Sequence, residues 1–269
     1  PAIDPTSTIG AEQEYPSNLN ASNDGPFCGG DTIHLTSTVY SGVTYTWLDP
    51  NNIPISTSAN YSFVSSPTLS GTYTLQASIP DCPLVETQTI VDVSQTSVAG
   101  TTSGDAIVCS ETNSGEVSVA GITGEVIRWE MANTTTGPWM TISNNNDTLT
   151  YSSLIQNTYF RPVVKTNNCP EDIGEFASIT VNSPTAGGFV IGGSPFCSGV
   201  NNGTLNLVYS NGTVNKWQRS TDNGATWIDI ISNSSSYEFT NLTTTTIYRA
   251  EVQNGSSCPA LYSVYAVGI

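Results

Sequence analysis

The chain has 269 residues, of which 22 are acidic and only 6 basic, giving a net charge of −16. That balance argues against nucleic acid and against insertion into anionic membranes, since both reward clustered Lys and Arg. Thr, Ser, Asn and Gly fill the polar positions, which suits strands and turns rather than helices, and no apolar run could span a bilayer. No signal peptide is recognisable, and the chain begins at Pro1 and stops just after a strand-like run. It therefore reads as a piece of something longer.

In chain order, residues 1 to about 27 form a leading segment rich in Pro, Asn and Ser, with room for a first edge strand. Apolar residues then alternate between turn residues: Ile33 and Leu35, then Val43, Tyr45 and Trp47, then Tyr61 and Phe63, then Tyr73, Leu75 and Ala77. A closing strand runs from about Leu84 to Val93. A period of two is the signature of half-buried strands. The same order returns as Val117 and Val119, then Ile127, Trp129 and Met131, then Leu149 and Tyr151, then the strand opened by Tyr159. It returns again as Leu205 and Leu207, then Trp217, then Tyr237 and Phe239, then Tyr248 to Val252.

The clearest repeated feature is a tryptophan hairpin. Trp217 and Trp227 frame Asp222-Asn223-Gly224, and Trp129 and Trp139 frame a similar turn 88 positions earlier. All four tryptophans sit at repeat-equivalent positions that read as core. The expected architecture is all-β: three tandem immunoglobulin-like (PKD-like) sandwiches over 1–95, 96–183 and 184–269, in an elongated array about 110 Å long. The linkers Ser94-Gln95-Thr96-Ser97 and Asn182-Ser183-Pro184-Thr185 are short and limit bending between neighbours.

Each repeat carries one cysteine in its leading turn (Cys28, Cys109, Cys197) and one near its end, followed by proline (Cys82, Cys169, Cys258). An even, periodic set without a Cys-x-x-Cys pair points to disulfides and an oxidising, extracellular setting rather than to zinc. Two pairings are open. Within repeats it is Cys28–Cys82, Cys109–Cys169 and Cys197–Cys258. Between repeats it is Cys28–Cys169 and Cys109–Cys258, with Cys82 and Cys197 left for neighbours. The residues between Cys109 and Val117 and between Cys197 and Leu205 offer enough slack to climb a sandwich, which favours the first. Against it, the two turns lie at opposite ends of an immunoglobulin-like order.

Chemistry-bearing residues are sparse. No nucleophile–base set is recognisable, so no catalytic residue or cofactor is assigned. His34 alternates with Ile33 and Leu35 and faces outward; Glu171-Asp172 reads as a solvated loop. Ser220-Thr221-Asp222-Asn223-Gly224-Ala225-Thr226-Trp227 matches the Asp-box pattern, and a capped hairpin explains it better than a glycan hydrolase does. The oxygen-rich turns Asp49 to Asn52, Asn144 to Asp147 and Asp222-Asn223 are the places where weak calcium binding would occur.

The segments Trp217 to Trp227, Thr243 to Val252 and Asn254-Gly255-Ser256-Ser257-Cys258-Pro259 resemble repeats of the giant gliding-motility surface adhesins of Bacteroidetes. The resemblance is strongest in the third repeat, clear in the second, and only immunoglobulin-like in the first, at Ser70 to Leu75. It implies type IX export, attachment at the outer cell surface, and a role in cell adhesion or gliding motility. Two triplets, Asp31-Thr32-Ile33 and Asp147-Thr148-Leu149, fit the O-glycosylation pattern of such organisms, making Thr32 and Thr148 candidate acceptors. The expected function is a non-enzymatic, monomeric adhesin fragment. Its partners are neighbouring repeats of the same chain and, through the parent protein, surface polysaccharide or an abiotic surface. The alternative is a set of carbohydrate-binding or spacer modules in a secreted multidomain protein.

Overall fold

Alternation of apolar and polar residues becomes strand pairing along the whole chain. The computed structural model describes residues 15–193 and 199–268, and within them regular structure is β except for one 3-10 turn at Pro67–Leu69. Packing groups the chain into two compact units. One comprises Pro1–Thr101, Ala120–Arg128 and Pro162–Gly174; the other comprises Thr102–Val119, Trp129–Arg161 and Glu175–Ile269. The division falls inside the second sequence repeat. Its leading end packs with repeat one, and its remainder with repeat three.

In the first unit, Ser22–Asn23, Thr32–Thr36 and Tyr61–Val64 form one antiparallel sheet. Pro54–Ser56, Thr44–Leu48, Gly71–Ser78 and Val85–Val91 form the other. Alternate residues Ile33, Leu35, Tyr45, Trp47, Tyr73, Leu75 and Ala77 close a single buried cluster between them. Trp47 is fully buried, and its indole N–H donates to the Ala59 carbonyl at 3.0 Å, so its one polar atom is satisfied.

In the second unit, repeat three pairs Phe189–Ile191, Asn202–Val208 and Ser236–Thr240 in one sheet. Ile228–Ile230, Thr213–Ser220, Thr246–Gln253 and Leu261–Tyr262 form the opposing one. Trp217 is fully buried against Leu205, Phe239, Tyr248 and Ala250. Its indole donates to Ser234 at 2.9 Å, as that of Trp129 does to Asn146 at the same distance. The same anchor thus occurs three times, each time satisfied by a carbonyl from the loop that follows the tryptophan strand and its neighbour.

One feature of the topology could not be read from periodicity. The short strand Phe27–Cys28 runs parallel to Val93–Ser94, and Ala106–Cys109 runs parallel to Ala177–Asn182. A strand parallel to the last strand of its repeat ends where that last strand ends. Cys28 therefore lies beside Ser94 and Cys109 beside Asn182, at the end from which the chain leaves for the next repeat.

Candidate functional site

The parallel strands decide the cysteine pairing. The late cysteines follow the penultimate strand and precede the last, so they sit at the leading end of their repeat, a full strand length from the early cysteine. Cys28 bonds to Cys169 and Cys109 to Cys258, with Cα–Cα distances of 5.5 and 4.8 Å. The expected pairs Cys28–Cys82 and Cys109–Cys169 are thereby overturned, and Cys82 is free and exposed. Cys197, expected to pair with Cys258, lies outside the described residues, and Cys258 is already bonded to Cys109. The slack that favoured pairing within a repeat is consumed locally. Ser110 N–H donates to Asn182, and the Asn113 amide bonds the carbonyls of Cys109 and Leu154, both at 2.7 Å.

Around each disulfide a shared set of polar contacts recurs, a linker hydroxyl on a backbone N–H, a backbone bridge and a sulfur beside a linker carbonyl, together with others particular to each. In the first unit the Ser97 hydroxyl accepts from Thr166 N–H at 3.0 Å and donates to the Pro170 carbonyl at 2.7 Å. Asp172 accepts Ala99 N–H at 2.7 Å, and Val98 and Thr123 exchange backbone hydrogen bonds. In the second unit the Thr185 hydroxyl accepts Asn254 N–H at 3.0 Å, the Asn254 amide donates to the Ser183 carbonyl at 2.8 Å, and Ala186 bridges to Asn211. Each late cysteine sulfur lies 3.4 Å from a linker carbonyl, Gln95 for Cys169 and Ser183 for Cys258.

Ser97 and Thr185 are 88 positions apart, so this is one junction built twice. The linkers admit no larger residue at their bends. Gly100 and Gly188 have φ of 67° and 70°, and a Cβ there would lie 2.2 Å from the Ala120 carbonyl and 2.4 Å from that of Val208. Asp172, read from sequence as solvated, is part of the junction, and Glu171 pairs with Arg128 at 2.8 Å. A hydroxyl recurring two residues before each Ala-Gly or Gly-Gly bend was the available signal for Ser97 and Thr185.

A second constellation covers the outer sheet face. Trp139 and Trp227 are only half-buried, contrary to their expected place in the core. Each precedes the short strand that pairs with the tryptophan strand, and each lies on the outside of the sheet under an arginine. Arg161 stacks on Trp139 at 3.9 Å and forms a bridge to Glu130 at 2.7 Å. Arg249 lies between Trp227 and Tyr262, 3.9 and 3.8 Å from the ring centres, and donates to Gln218 at 2.8 Å. Nearby, Lys216 pairs with Asp229 at 2.9 Å and holds that carboxyl below its ordinary range, while a hydrogen bond from Tyr262 does the same for Glu251. The aromatic faces are thus occupied by guanidinium groups rather than presented for a sugar ring to stack on.

The remaining candidates are structural or exposed. Asp222 accepts Thr226 N–H at 2.8 Å and the hydroxyls of Ser220 and Thr226, while Gly224 takes a φ of 88°. The Asp-box segment is therefore a capped hairpin. The Ser220 hydrogen bond, followed by those of Thr226, lowers the Asp222 pKa from 3.8 to about 2. A depressed carboxyl stabilises the fold above its unfolded pKa and loses that contribution as pH falls through the folded one. Protection of the Thr226 amide should therefore collapse between about pH 4 and pH 2, and Asp222→Asn should remove that step. An amide whose protection is flat across this window contradicts the assignment.

Asp49 accepts the N–H groups of Asn51 and Ile53, and Asn144 accepts that of Asn146, so two of the oxygen-rich turns are held by their own backbone. Among the described residues no three His, Cys, Asp or Glu side chains gather in one place. His34 is exposed and bonded to Ser62 at 2.7 Å; Thr32 and Thr148 are both exposed at strand starts.

A family model described as "Domain of unknown function (DUF8696)" matches residues 98–183 and 186–268, the second and third sequence repeats. No curated protein matches the chain. Among solved structures, a three-domain immunoglobulin segment of titin (I67–I69, an E-to-A variant) matches with a TM-score of 0.57 at 12% identity, covering 90% of this chain and 93% of that one. Murine CEACAM1b gives 0.36 at 13% identity over 61% of this chain and 98% of that one. Domains 3–5 of the Drosophila OTK extracellular region give 0.33 at 12% identity over 93% and 97%. The titin match shows the fold, a tandem array of immunoglobulin-like sandwiches. With two adjacent matches spanning more than half of its length, the chain belongs to the DUF8696 family.

Proposed function

We propose that the chain is a load-bearing, non-enzymatic repeat segment of a cell-surface adhesin. The observation that carries this is the placement of both disulfides: each joins successive repeats, where a free-standing binding module would close on itself. Disulfides across junctions serve a chain that must transmit force in an oxidising setting. In this reading the repeats stand at the outer surface after type IX export and act in attachment and gliding, with contact to polysaccharide or an abiotic surface made through the parent protein. Thr32 and Thr148 are the proposed O-glycan acceptors. The carbohydrate-binding alternative requires free aromatic faces, and those of Trp139 and Trp227 carry arginine.

The test has a chemical and a cellular arm. Non-reducing peptide mapping of secreted protein should recover Cys28–Cys169 and Cys109–Cys258 peptides. In the source organism, excising residues 96–183 in frame should reduce cell retention under flow and shorten gliding runs. Unchanged retention and gliding, combined with impaired growth on one polysaccharide, would instead favour a carbohydrate-binding module.

A further inference from the structure

We propose that the outer sheet face of repeat three, from Tyr209 to Thr240, holds a neutral polysaccharide of the surface to which the parent adhesin attaches. This rests on the adhesin reading and gives it a point of contact. Strand register builds the face. Phe189 pairs with Val208 and Ile191 with Asn206, while Asn206, Thr204 and Asn202 pair in turn with Ser236, Glu238 and Thr240. Alternation sends Val190, Leu205, Leu207 and Phe239 into the core, so these paired residues point outward.

One end of the face is aromatic. Phe189 is 51% exposed and Tyr209 87%, their rings edge to face with centres 6.5 Å apart. Neither lies under an arginine, as Trp139 and Trp227 do. The backbone at Tyr209 is left-handed, with φ of 55°, a conformation that bulky residues seldom adopt. The corresponding position 88 residues earlier is Gly121, with φ of 72° and open space where a side chain would stand. Repeat two has Thr101 in the place of Phe189. Repeat three thus keeps a large ring where the turn favours glycine, and the exposed ring adds almost nothing to the core.

The rest of the face is polar and unbonded. Repeat one ties its outer face with Ser22 on Thr36 at 2.8 Å and His34 on Ser62 at 2.7 Å, and repeat two with Ser103 on Ser118 at 2.9 Å. In repeat three Ile191 faces Asn206 and Thr204 faces Glu238. The side chains of Asn206, Thr204, Glu238 and Thr240 make no hydrogen bond to another described residue. Asn202, Thr204, Glu238 and Thr240 line a depression of about 250 Å³.

This mixture selects the occupant. A pyranose ring has a C–H face that stacks on an aromatic ring and hydroxyls that pair with amides, hydroxyls and carboxylates. No charged side chain occurs between Glu175 and Lys216, and Glu238 is the one charged residue among those named on the face. Nothing there attracts an acidic polymer. A protein partner needs an apolar centre with a polar rim, whereas these apolar side chains gather at one end. At about 3.4 Å per residue, the track from Val208 to Asn202 is roughly 20 Å long, room for several sugar units in a row.

The experiment uses the full oxidised chain in affinity electrophoresis through gels containing dextran, laminarin, xyloglucan or galactomannan, with alginate as the acidic control. We expect at least one neutral polymer to retard the protein and alginate not to. Tyr209→Gly, which restores the residue of repeat two, should weaken that binding about tenfold without lowering the unfolding temperature. Phe189→Thr should also weaken it, and Trp227→Ala should not. Failure of all four neutral polymers overturns the inference, as does binding that Tyr209→Gly leaves intact. So does stronger retardation by alginate. Dimerisation in sedimentation that Tyr209→Gly abolishes would overturn it too, by making the occupant a second copy. The adhesin reading fails separately, on the cysteine peptides and on excision of residues 96–183, neither of which involves this face.

Discussion

Stretched between its ends, the unfolded but oxidised chain should reach only about a third of the length of the reduced one, and the two disulfides should contribute to that limit in a strongly non-additive way. The bonds interlace, since Cys109 lies between Cys28 and Cys169, and Cys169 lies between Cys109 and Cys258. The shortest covalent path crosses from Cys28 to Cys169, runs backwards to Cys109, and crosses again to Cys258. That path is about 98 residues, or roughly 340 Å at about 3.5 Å per residue. Replacing Cys28 by Ser leaves the other bond to shunt most of the chain and adds only about 70 Å; replacing Cys109 adds about 100 Å. Replacing both should add roughly 600 Å. Closed loops within single repeats would instead give nearly equal, additive increments, so single-molecule stretching of the two single variants and the double variant separates the arrangements. Increments that sum would contradict the interlaced topology.

The interlacing has a mechanical consequence for the repeats. Once the chain is taut, load enters the middle repeat at Cys169 and leaves at Cys109, while the segments Cys28 to Cys109 and Cys169 to Cys258 lie off the loaded path. Each bond closes a loop of more than 140 residues, 141 and 149 in sequence separation. In the chain-entropy model such a loop restricts the unfolded state by about 5 kcal/mol. Because the loops overlap, the two contributions are not independent. The junction hydrogen bonds from Ser97, Asp172, Thr185 and Asn254 act in the folded state, where they fix the linkers that the disulfides span.

Much of this was legible in the residues, and what was not has physical reasons. Trp47, Trp129 and Trp217 mark the core strands because a fully buried indole needs both an apolar surround and a carbonyl partner, and the flanking alternation supplies the first. The Asp222 hairpin was legible because side chain and turn requirements coincide over a few residues. Trp139 and Trp227 misled because hydrophobicity does not say which sheet face a residue occupies. Their arginine cover comes from Arg161 and Arg249, on a strand 22 residues later. Cysteine pairing was underdetermined because it depends on strand direction. Phe27–Cys28 and Ala106–Cys109 are too short for their parallel pairing with the last strand to leave a pattern.

Trp217→Ala should cost repeat three about 3–5 kcal/mol, against about 0.5–2 kcal/mol for Trp227→Ala, although the two tryptophans share one hairpin. Trp217 has no exposed surface and touches both sheets, so truncation opens a cavity bordered by Tyr237 and Tyr248, rings too rigid to fill it. It also leaves the Ser234 carbonyl without its indole donor. Trp227 lies on the other face, where its loss removes one of the two rings stacked on Arg249 and leaves Tyr262 and Gln218 in place. The damage from Trp217→Ala should stay local. The repeat-one cluster around Trp47 shares no residue with the cluster around Trp217, so the two cores are separate cooperative units. Hydrogen exchange on the oxidised protein provides the measurement. Amides of Asn202–Val208, Thr213–Ser220 and Thr246–Gln253 should lose protection, while those of Thr44–Leu48 and Gly71–Ser78 keep theirs. Equal losses for the two tryptophans, or loss that spreads to Gly71–Ser78, would show that the indole at 217 is not the anchor of an independent core.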